Sequence, residues 1–201
     1  MDFWHSEIIP DAEMDAAAKK HDFWRAFWDV IETILISVAL FIAINYVTAR
    51  IRVESISMEP NLYAGDFVIV SKLAYRFDEP TRGDIIVFRY PPRPTETPYI
   101  KRVIGLPGDD VQLRNGYVFI NGELLPEPYI QVDTYPNNGW VVPDNSLFVM
   151  GDNRENSSDS RSWGMVPLEN VIGKAEVVYW PPEDWKILHI SSAAAAQPRF
   201  V

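Results

Sequence analysis

The feature that most constrains this chain is an uncharged apolar run near its N-terminus. Residues 33–49 form 17 consecutive positions without a charge, with ISVALFIAINYV at their centre. Extended back to Val30, the run spans roughly 30 Å as a helix, since each residue adds about 1.5 Å, and this matches the hydrocarbon core of a bilayer. Aromatic residues cluster before the run and Tyr46 lies near its end, as is typical of membrane interfaces. We therefore predict a single transmembrane helix over residues 30–49, with the lipid bilayer as a partner.

Two other interpretations of the run stay open. The buried helix of a soluble protein would carry a polar face at helical spacing, whereas this run offers only Thr33, Ser37 and Asn45. A cleaved signal peptide is favoured by Val47-Thr48-Ala49, which resembles a small-residue cleavage site. The segment before the run, however, would be about 30 residues long and net acidic, unlike the short basic start of a signal peptide.

The charges that flank the predicted helix do not fix its orientation. Lys19, Lys20 and Arg25 precede it, while Arg50 and Arg52 follow it. Because cytoplasmic flanks carry the excess of Lys and Arg, this distribution leans only weakly toward a cytoplasmic N-terminus. We assign residues 1–29 to an N-terminal cytoplasmic segment.

The composition of the 201-residue chain excludes several classes of function. There is no cysteine, so a disulfide framework, an all-cysteine zinc site and a cysteine nucleophile are all excluded. The net charge is -10, and both the N-terminal part and the rest of the chain are net acidic. Since nucleic-acid binding depends on a basic surface that neutralises phosphate, we expect no DNA or RNA partner.

After residue 50 the pattern changes from helical to strand-like. Short apolar, β-branched runs alternate with turn signals such as Asn115-Gly116, and Asn-Gly between apolar runs is the strongest short hairpin signal. The predicted strands are Phe67–Val70, Ile85–Phe88, Tyr99–Ile104, Val111–Leu113, Tyr117–Ile120, Leu147–Met150 and Val177–Trp180. Four prolines make Tyr90–Pro98 a loop, because proline cannot pair in a central strand. We predict a mostly β protein, with an antiparallel, barrel-like domain over residues 50–190 and a tail over residues 191–201.

The residues of the β domain leave few kinds of nucleophilic catalysis open. The three histidines are His5, His21 and His189. The first two precede the apolar run and the third lies near the C-terminal edge of the β domain, so a Ser-His-Asp triad inside this domain is nearly impossible. The motifs GxSxG, GxGxxG, GxxxxGK[ST] and HExxH do not occur in the sequence. Lysine is the main alternative base for a serine nucleophile. The candidate lysines of the domain are Lys72, Lys101, Lys174 and Lys186.

Lys101 and Arg102 are adjacent cations in the apolar strand predicted over Tyr99–Ile104. Side chains alternate along a strand, so we expect one of the two to face the interior. Arginine does not deprotonate near neutral pH, which makes Lys101 the better candidate for a general base. From this segment alone, an edge strand whose two cations both reach solvent is the simpler interpretation.

Five segments resemble, in order, the motif boxes of bacterial type I signal peptidases (leader peptidases), a family of serine–lysine dyad proteases. The segments are Ser57-Met-Glu-Pro60, Gly65-Asp66, Arg82-Gly-Asp84, Tyr99–Asp109 and Gly151–Arg161. The apolar run also ends a few residues before the serine, as it does in that family. One position departs from the family pattern, because Asn61 stands where Thr usually follows the proline. Either side chain is able to hydrogen-bond the local backbone.

The resemblance implies a catalytic role for four residues. Ser57 attacks the scissile carbonyl, and neutral Lys101 removes its proton. Ser157 accepts a hydrogen bond from the Lys101 amine and orients it. The Ser57 backbone N–H and the Ser55 hydroxyl hold the oxyanion.

The resemblance also implies which residues support the site and bind substrate. Two ion pairs stabilise the site, and they are Asp152–Arg102 and Asp159–Arg161. Val53 and Ile100 line shallow pockets for the substrate side chains nearest the cut. The chemistry requires no cofactor and no metal.

The implied activity is removal of N-terminal signal peptides from exported preproteins by a membrane-bound endopeptidase that cuts after small residues, in Ala-x-Ala sites. The β domain would then lie on the extracytoplasmic side of the bacterial membrane, in proximity to the secretion translocon. The substrate would add as a strand to the edges at Ile51–Ser57 and Pro98–Lys101.

Three other functions fit parts of the sequence. A calcium site is favoured by the oxygen donors Asp152, Asn153 and Asp159, although their spacing does not fit an EF-hand loop. A self-cleaving repressor with a related Ser–Lys site would carry a DNA-binding helix pair, which the sequence lacks. A non-catalytic, membrane-anchored β module that binds extended peptides differs only in lacking activity, and a cleavage assay separates the two.

Overall fold

The computed structural model describes residues 11–188 and begins with one long helix. Helix α1 runs over Asp11–Val47, and its part Trp24–Val47 is long and apolar enough to cross a membrane. The large apolar side chains of this part are exposed, with Leu35 at 63% and Phe41 at 64%. An apolar helix that protein does not cover matches a lipid environment better than the core of a soluble protein. The predicted segment 191–201 lies outside the described residues.

The helix ends at Val47, which corrects the predicted end of the transmembrane helix at residue 49. Thr48 and Ala49 belong instead to strand β1, Thr48–Arg52, where they pair with Ser71 and Val70. Thr48 is β-branched and therefore favours a strand. Pairing with Ser71 and Val70 stabilises the extended backbone here, although the uncharged sequence would also have allowed the helix to continue. The chain divides into two compact units at this point, after Tyr46.

The second unit is built from strands and very short helices. The described residues contain twelve strands: β1, then β2 Phe67–Ser71, β3 Ile85–Phe88, β4 Tyr99–Gly105, β5 Asp110–Arg114, β6 Tyr117–Ile120, β7 Glu123–Leu124, β8 Asn138–Val141, β9 Ser146–Met150, β10 Val166–Pro167, β11 Val171–Trp180 and β12 Lys186–Ile187. The short helices in this range are α2 Ala74–Phe77, α3 Ser160–Trp163 and the 3-10 turns Ile56–Met58, Leu168–Asn170 and Pro182–Asp184.

The strands form two antiparallel sheets. The larger sheet has the order β1-β2-β11-β3-β4-β9-β10, with β12 paired to β11, and it curls into a half-barrel. The smaller sheet has the order β7-β6-β5-β8. This arrangement confirms the predicted mostly β architecture, and the segment 90–98 is a loop as expected.

The two Asn-Gly pairs make the tight turns that their sequence predicts. Asn115 and Gly116 join β5 to β6 with φ of 51° and 88°, and Asn121 and Gly122 join β6 to β7 with the same values. A two-residue hairpin needs positive φ at both central residues, and Asn and Gly reach this region most easily. These turns fix the register of the smaller sheet.

Strands β3 and β4 are buried on both faces, which decides where the adjacent cations go. Ile85 and Val87 of β3 pack into one apolar cluster with Met58, while Ile86 and Phe88 pack into another on the opposite face. Every residue of β4 from Ile100 to Gly105 is buried, so its alternating side chains also enter protein on both faces of the sheet. Any polar side chain on β4 must therefore find its partners inside the protein.

Candidate active site

Ser57 and Lys101 lie in direct contact although 44 positions separate them in the chain. Ser57 lies in the 3-10 turn Ile56–Met58 and is 5% exposed, while Lys101 points from β4 and is 4% exposed. The Lys101 Nζ and Ser57 Oγ atoms are 2.6 Å apart. This is the distance at which a proton passes between a nucleophile and its base.

Lys101 is buried without a counter-ion among the described residues. Its amine donates to the Ile100 carbonyl at 2.9 Å, and its other partner is Ser57. Burial lowers the pKa of the Lys101 amine from the usual 10.5 to about 8, although the carboxylates of Asp159 and Asp152 act in the opposite direction. Desolvation dominates because the charged form loses water and gains no ion pair in return.

The neighbouring Arg102 is also buried, on the other face of β4, but its charge is compensated by an ion pair. Its guanidinium donates to both carboxylate oxygens of Asp152, at 2.7 Å and 2.6 Å, and to the Gly83 carbonyl at 2.8 Å. It also lies 4.1 Å from the centre of the Tyr129 ring. Both cations are thus buried, so the interpretation of an edge strand with two solvent-exposed cations is wrong. The expectation that only one of them faces the interior is wrong as well, because β4 is covered on both sides.

The other candidate lysines have different environments. Lys174 pairs with Asp84 at 2.7 Å, Lys72 is exposed, and Lys186 is half-buried with its amine 5.7 Å from the Tyr63 ring centre. Lys101 is the candidate whose amine reaches a serine hydroxyl.

Ser55 and Ser157, the two serines expected beside Ser57 and Lys101, differ in their contacts. The Ser55 hydroxyl lies 3.1 Å from Ser57 Oγ, so it stands next to the nucleophile. The Ser157 hydroxyl is buried and has no hydrogen-bond partner among the described residues. The expected Ser157–Lys101 hydrogen bond is therefore not formed, because the Lys101 amine is directed to Ile100 and Ser57.

The loop after β9 hydrogen-bonds the backbone of Ser57 and its neighbour Ile56. The Asn153 N–H donates to the Ser57 carbonyl at 3.1 Å, and the Asn153 side chain donates to the Ile56 carbonyl at 3.2 Å. A Cβ at Gly151 would lie 2.3 Å from Ser157 Oγ and 2.4 Å from the Ser57 carbonyl oxygen. Gly151 thus allows this loop to approach Ser57 and places Ser157 on the same side of it.

Both expected ion pairs are present, and they occupy the carboxylates proposed as calcium ligands. Asp152 pairs with Arg102, and Asp159 pairs with Arg161 at 2.8 Å while also accepting from the Gly151 N–H. No group of three or more metal-binding side chains occurs among the described residues. The calcium interpretation of this loop is therefore wrong for these two carboxylates, since each is already neutralised by an arginine.

Sequence reasoning missed part of the buried polar network. The Asn61 amide donates to Asp152 at 2.9 Å and to the Tyr129 carbonyl at 2.7 Å, so it joins the Arg102–Asp152 pair rather than capping its own turn. Arg154 pairs with Glu127 and donates to the Gly151 carbonyl at 3.0 Å. The position of Arg154 inside the motif segment Gly151–Arg161 was the available signal, whereas nothing local to Glu127 marks it as a partner.

A cleft of about 490 Å³ opens in front of Ser57 and Lys101. Val53 and Ile100, the expected pocket residues, both line it. The lining also includes residues of both predicted substrate edges, Ile51–Ser57 and Pro98–Lys101, together with Thr97, Asn156 and Ser158, which were not predicted.

Two unpaired backbone edges border this cleft. Val53 directs both of its backbone groups away from it, because its N–H donates to Asp66 and its carbonyl accepts from Gly65, each at 2.8 Å. Backbone groups of successive strand residues point to alternate edges, so Arg52 and Glu54 direct theirs toward the cleft. On β4, pairing with β9 begins only at Arg102, which leaves the edge before it open on the cleft side.

Comparison with known proteins places the chain in a family. Residues 27–180 match the family model described as signal peptidase, peptidase S26. The chain belongs to the signal peptidase family. A signal peptidase I of Leptolyngbya laminosa is 44% identical over 186 residues, which cover 86% of this chain and 88% of that protein. A probable signal peptidase I-2 of Synechocystis is 42% identical over 160 residues, which cover 75% of this chain and 72% of that protein.

A solved structure gives a further likeness. The crystal structure of a signal peptidase I from Enterococcus faecalis V583 is 33% identical, with a TM-score of 0.45, and the match covers 48% of this chain and 97% of that one. The family assignment does not depend on this match, since the family model spans the apolar helix and the β domain together.

The lowered pKa of Lys101 predicts where peptide cleavage loses activity in acid. With a pKa of about 8, roughly one amine in ten is neutral at pH 7, against about one in 3,000 for an ordinary lysine. As a general base, Lys101 would accept a proton only in its neutral form, so kcat/KM should fall about tenfold per pH unit below pH 8 and level off above it. The measurement is kcat/KM on an uncharged peptide between about pH 6 and pH 10. Lys101→Arg should be inactive throughout, and Lys186→Arg, at a residue that does not line the cleft, should keep the native profile. An active Lys101→Arg enzyme would identify another group as the base.

Proposed function

We propose that this protein removes N-terminal signal peptides from exported preproteins, using Ser57 as nucleophile and Lys101 as general base. The observation that supports the proposal is a buried lysine amine that has no counter-ion within residues 11–188 and lies 2.6 Å from a serine hydroxyl beside an open cleft. The family and its relatives supply the reaction class, since they are named signal peptidases.

The proposed reaction begins with transfer of the Ser57 proton to neutral Lys101. Ser57 Oγ attacks the scissile carbonyl carbon, and the negative charge collects on the carbonyl oxygen. The Ser57 backbone N–H and the Ser55 hydroxyl donate to that oxygen, a role for which the 3.1 Å Ser55–Ser57 separation is suited. The protonated Lys101 then gives its proton to the departing amine, which leaves the signal peptide as an ester on Ser57.

The second half of the reaction reverses these roles. Lys101, neutral again, removes a proton from a water molecule, which attacks the ester carbonyl. Lys101 then gives this proton to Ser57 Oγ as the ester bond breaks, which frees the signal peptide and restores both Ser57 and neutral Lys101. A neutral amine has two N–H groups and one lone pair. Ile100 accepts one N–H, and in the neutral amine the Ser57 hydroxyl would donate to the lone pair across the 2.6 Å contact. We assign the remaining N–H to Ser157, whose buried hydroxyl lacks a partner in the structure, once substrate fills the cleft.

Substrate would bind as an added strand between the two open edges. Backbone groups of Arg52 and Glu54 on one side and of Ile100 on the other offer hydrogen bonds that do not depend on the substrate sequence. Alternate side chains of an extended segment face the same wall, so the residues one and three positions before the cut would meet Val53 and Ile100. This arrangement fits an Ala-x-Ala site.

The dyad is tested by removing each member separately. Ser57→Ala and Lys101→Ala should each lower kcat/KM for a precursor by at least about a thousandfold, and the double variant should be no worse, because the pair acts as one unit. The assay uses detergent-solubilised enzyme and a precursor with an Ala-x-Ala site. Ser146→Ala and Lys186→Ala are the matched controls, since neither residue lines the cleft. Near-native processing by either dyad variant would refute the assignment.

The pockets are tested by enlarging the substrate. Phe in place of Ala one or three residues before the cut should lower kcat/KM at least about a hundredfold, because overfilling a tight pocket costs a few kcal/mol. Phe at the intervening position, which faces away from Val53 and Ile100, is the control and should be tolerated. Equal rates for all three precursors would mean that Val53 and Ile100 do not form the pockets.

We also propose that α1 anchors the protein in the bacterial membrane with the β domain on the extracytoplasmic side, near the secretion translocon. Protease added to intact spheroplasts should digest the β domain and spare the segment before the membrane-spanning part of α1. A tag fused at each end reports the two sides separately, and lysed spheroplasts show that both tags are cleavable. Protection of the β domain in intact spheroplasts would reverse the orientation.

A further inference from the structure

The charged side chains that line the cleft differ in whether they have a partner. Its charged side chains are Arg52, Glu54 and Lys101. Lys101 is committed to Ser57, and its lowered pKa leaves part of it neutral near pH 8. Arg52 pairs in register with Phe67 of β2, and its guanidinium lies 5.9 Å from the centre of that ring. The Arg52 charge is therefore drawn toward β2, on the side away from the open edge.

Glu54 is different, because its carboxylate makes no hydrogen bond or ion pair with any residue in the range 11–188. Its side chain is exposed, whereas that of its neighbour Val53 is 2% exposed and packs into the core. The two side chains thus stand on opposite faces of the segment that leads to Ser57. Glu54 brings an uncompensated negative charge to the cleft, on the face opposite to Val53.

An added substrate strand would alternate in the same way as this edge. The scissile carbonyl belongs to the substrate residue immediately before the cut, and it lies at Ser57. The substrate residues before it therefore extend away from Ser57, alongside residues 55 to 52 of the enzyme. Side chains one and three positions before the cut share the face of Val53. The side chain two positions before the cut points to the opposite face, where Glu54 stands next to it.

We infer that Glu54 selects for charge at the middle residue of the Ala-x-Ala site, favouring Lys or Arg there and disfavouring Asp or Glu. The inference rests on the proposed function and adds a specificity determinant to it. An exposed charge pair contributes little, so the preference is a ratio of rates rather than an absolute requirement. It should weaken with salt, since exposed charges are screened.

The test is a competition between three precursors that differ only at the middle residue, with Lys, Gln or Glu in an Ala-x-Ala site. All three are mixed with the full-length detergent-solubilised enzyme, and the products are counted by mass spectrometry, which gives relative kcat/KM directly. We expect the order Lys, Gln, Glu, with Lys at least about fivefold faster than Glu at low ionic strength, from attraction and repulsion at an exposed pair. In about 0.5 M salt the ratio should fall toward one.

Variants assign the preference to Glu54. Glu54→Gln should bring the Lys-to-Glu ratio close to one, and Glu54→Lys should invert it; the ratio is internal and does not depend on the absolute rate. Glu123→Gln, an exposed carboxylate on β7 away from the cleft, should keep the native ratio. Equal rates in the native enzyme, or a preference that survives Glu54→Gln, would overturn the inference and leave the proposed function standing. Failure to cleave any of the three precursors would overturn both.

Discussion

The site depends on the burial of β4 on both faces. A strand that is covered on both sides must place every polar side chain inside the protein, and desolvating a charge is costly unless a partner compensates it. Arg102 meets this constraint with an ion pair to Asp152, whereas Lys101 meets it with a lowered pKa. Two adjacent cations thus reach opposite outcomes because one face of the strand holds a carboxylate and the other holds the Ser57 hydroxyl.

The Arg102–Asp152 pair also connects the segments that carry Lys101 and Ser57. Arg102 is next to Lys101 in β4, and Asp152 is next to Asn153, whose N–H holds the Ser57 carbonyl. Asn61 donates to the same carboxylate from the helical turn that follows Ser57. The pair therefore fixes β4, the loop after β9 and the turn of the nucleophile relative to one another. Buried ion pairs contribute little net stability, so geometric specificity is the better account of this one.

The sequence predicts local structure well where pattern and turn chemistry agree. Ile85–Phe88 and Tyr117–Ile120 are strands with the predicted bounds, and both Asn-Gly pairs form hairpin turns. The sequence does not predict β8, Asn138–Val141, because its Asn and Gly disfavour strands and only pairing with β5 makes it one. The contact between Ser57 and Lys101 also lies beyond local pattern: elimination of histidine pointed to a lysine, and the family motifs singled out which one. The direction of the Ser157 hydroxyl depends on packing at Gly151, which no sequence rule describes.

The proposed lysine base with a pKa of about 8 and a cleft with few specific side-chain contacts fit together as one solution. A lysine base operates only while water stays away from its amine, so the cleft walls must remain largely apolar, and apolar walls offer few groups that could recognise a substrate sequence. Recognition is then left to backbone pairing and to pocket depth, both of which tolerate many sequences and bind weakly. Weak binding suffices when enzyme and substrate are held at one surface, because confinement raises their effective concentration.

Ser57 follows the last residue of α1 by only ten positions, at most about 34 Å of extended chain. The apolar run that first constrains the sequence and the buried, partly neutral Lys101 near the start of β4 are therefore parts of the same requirement.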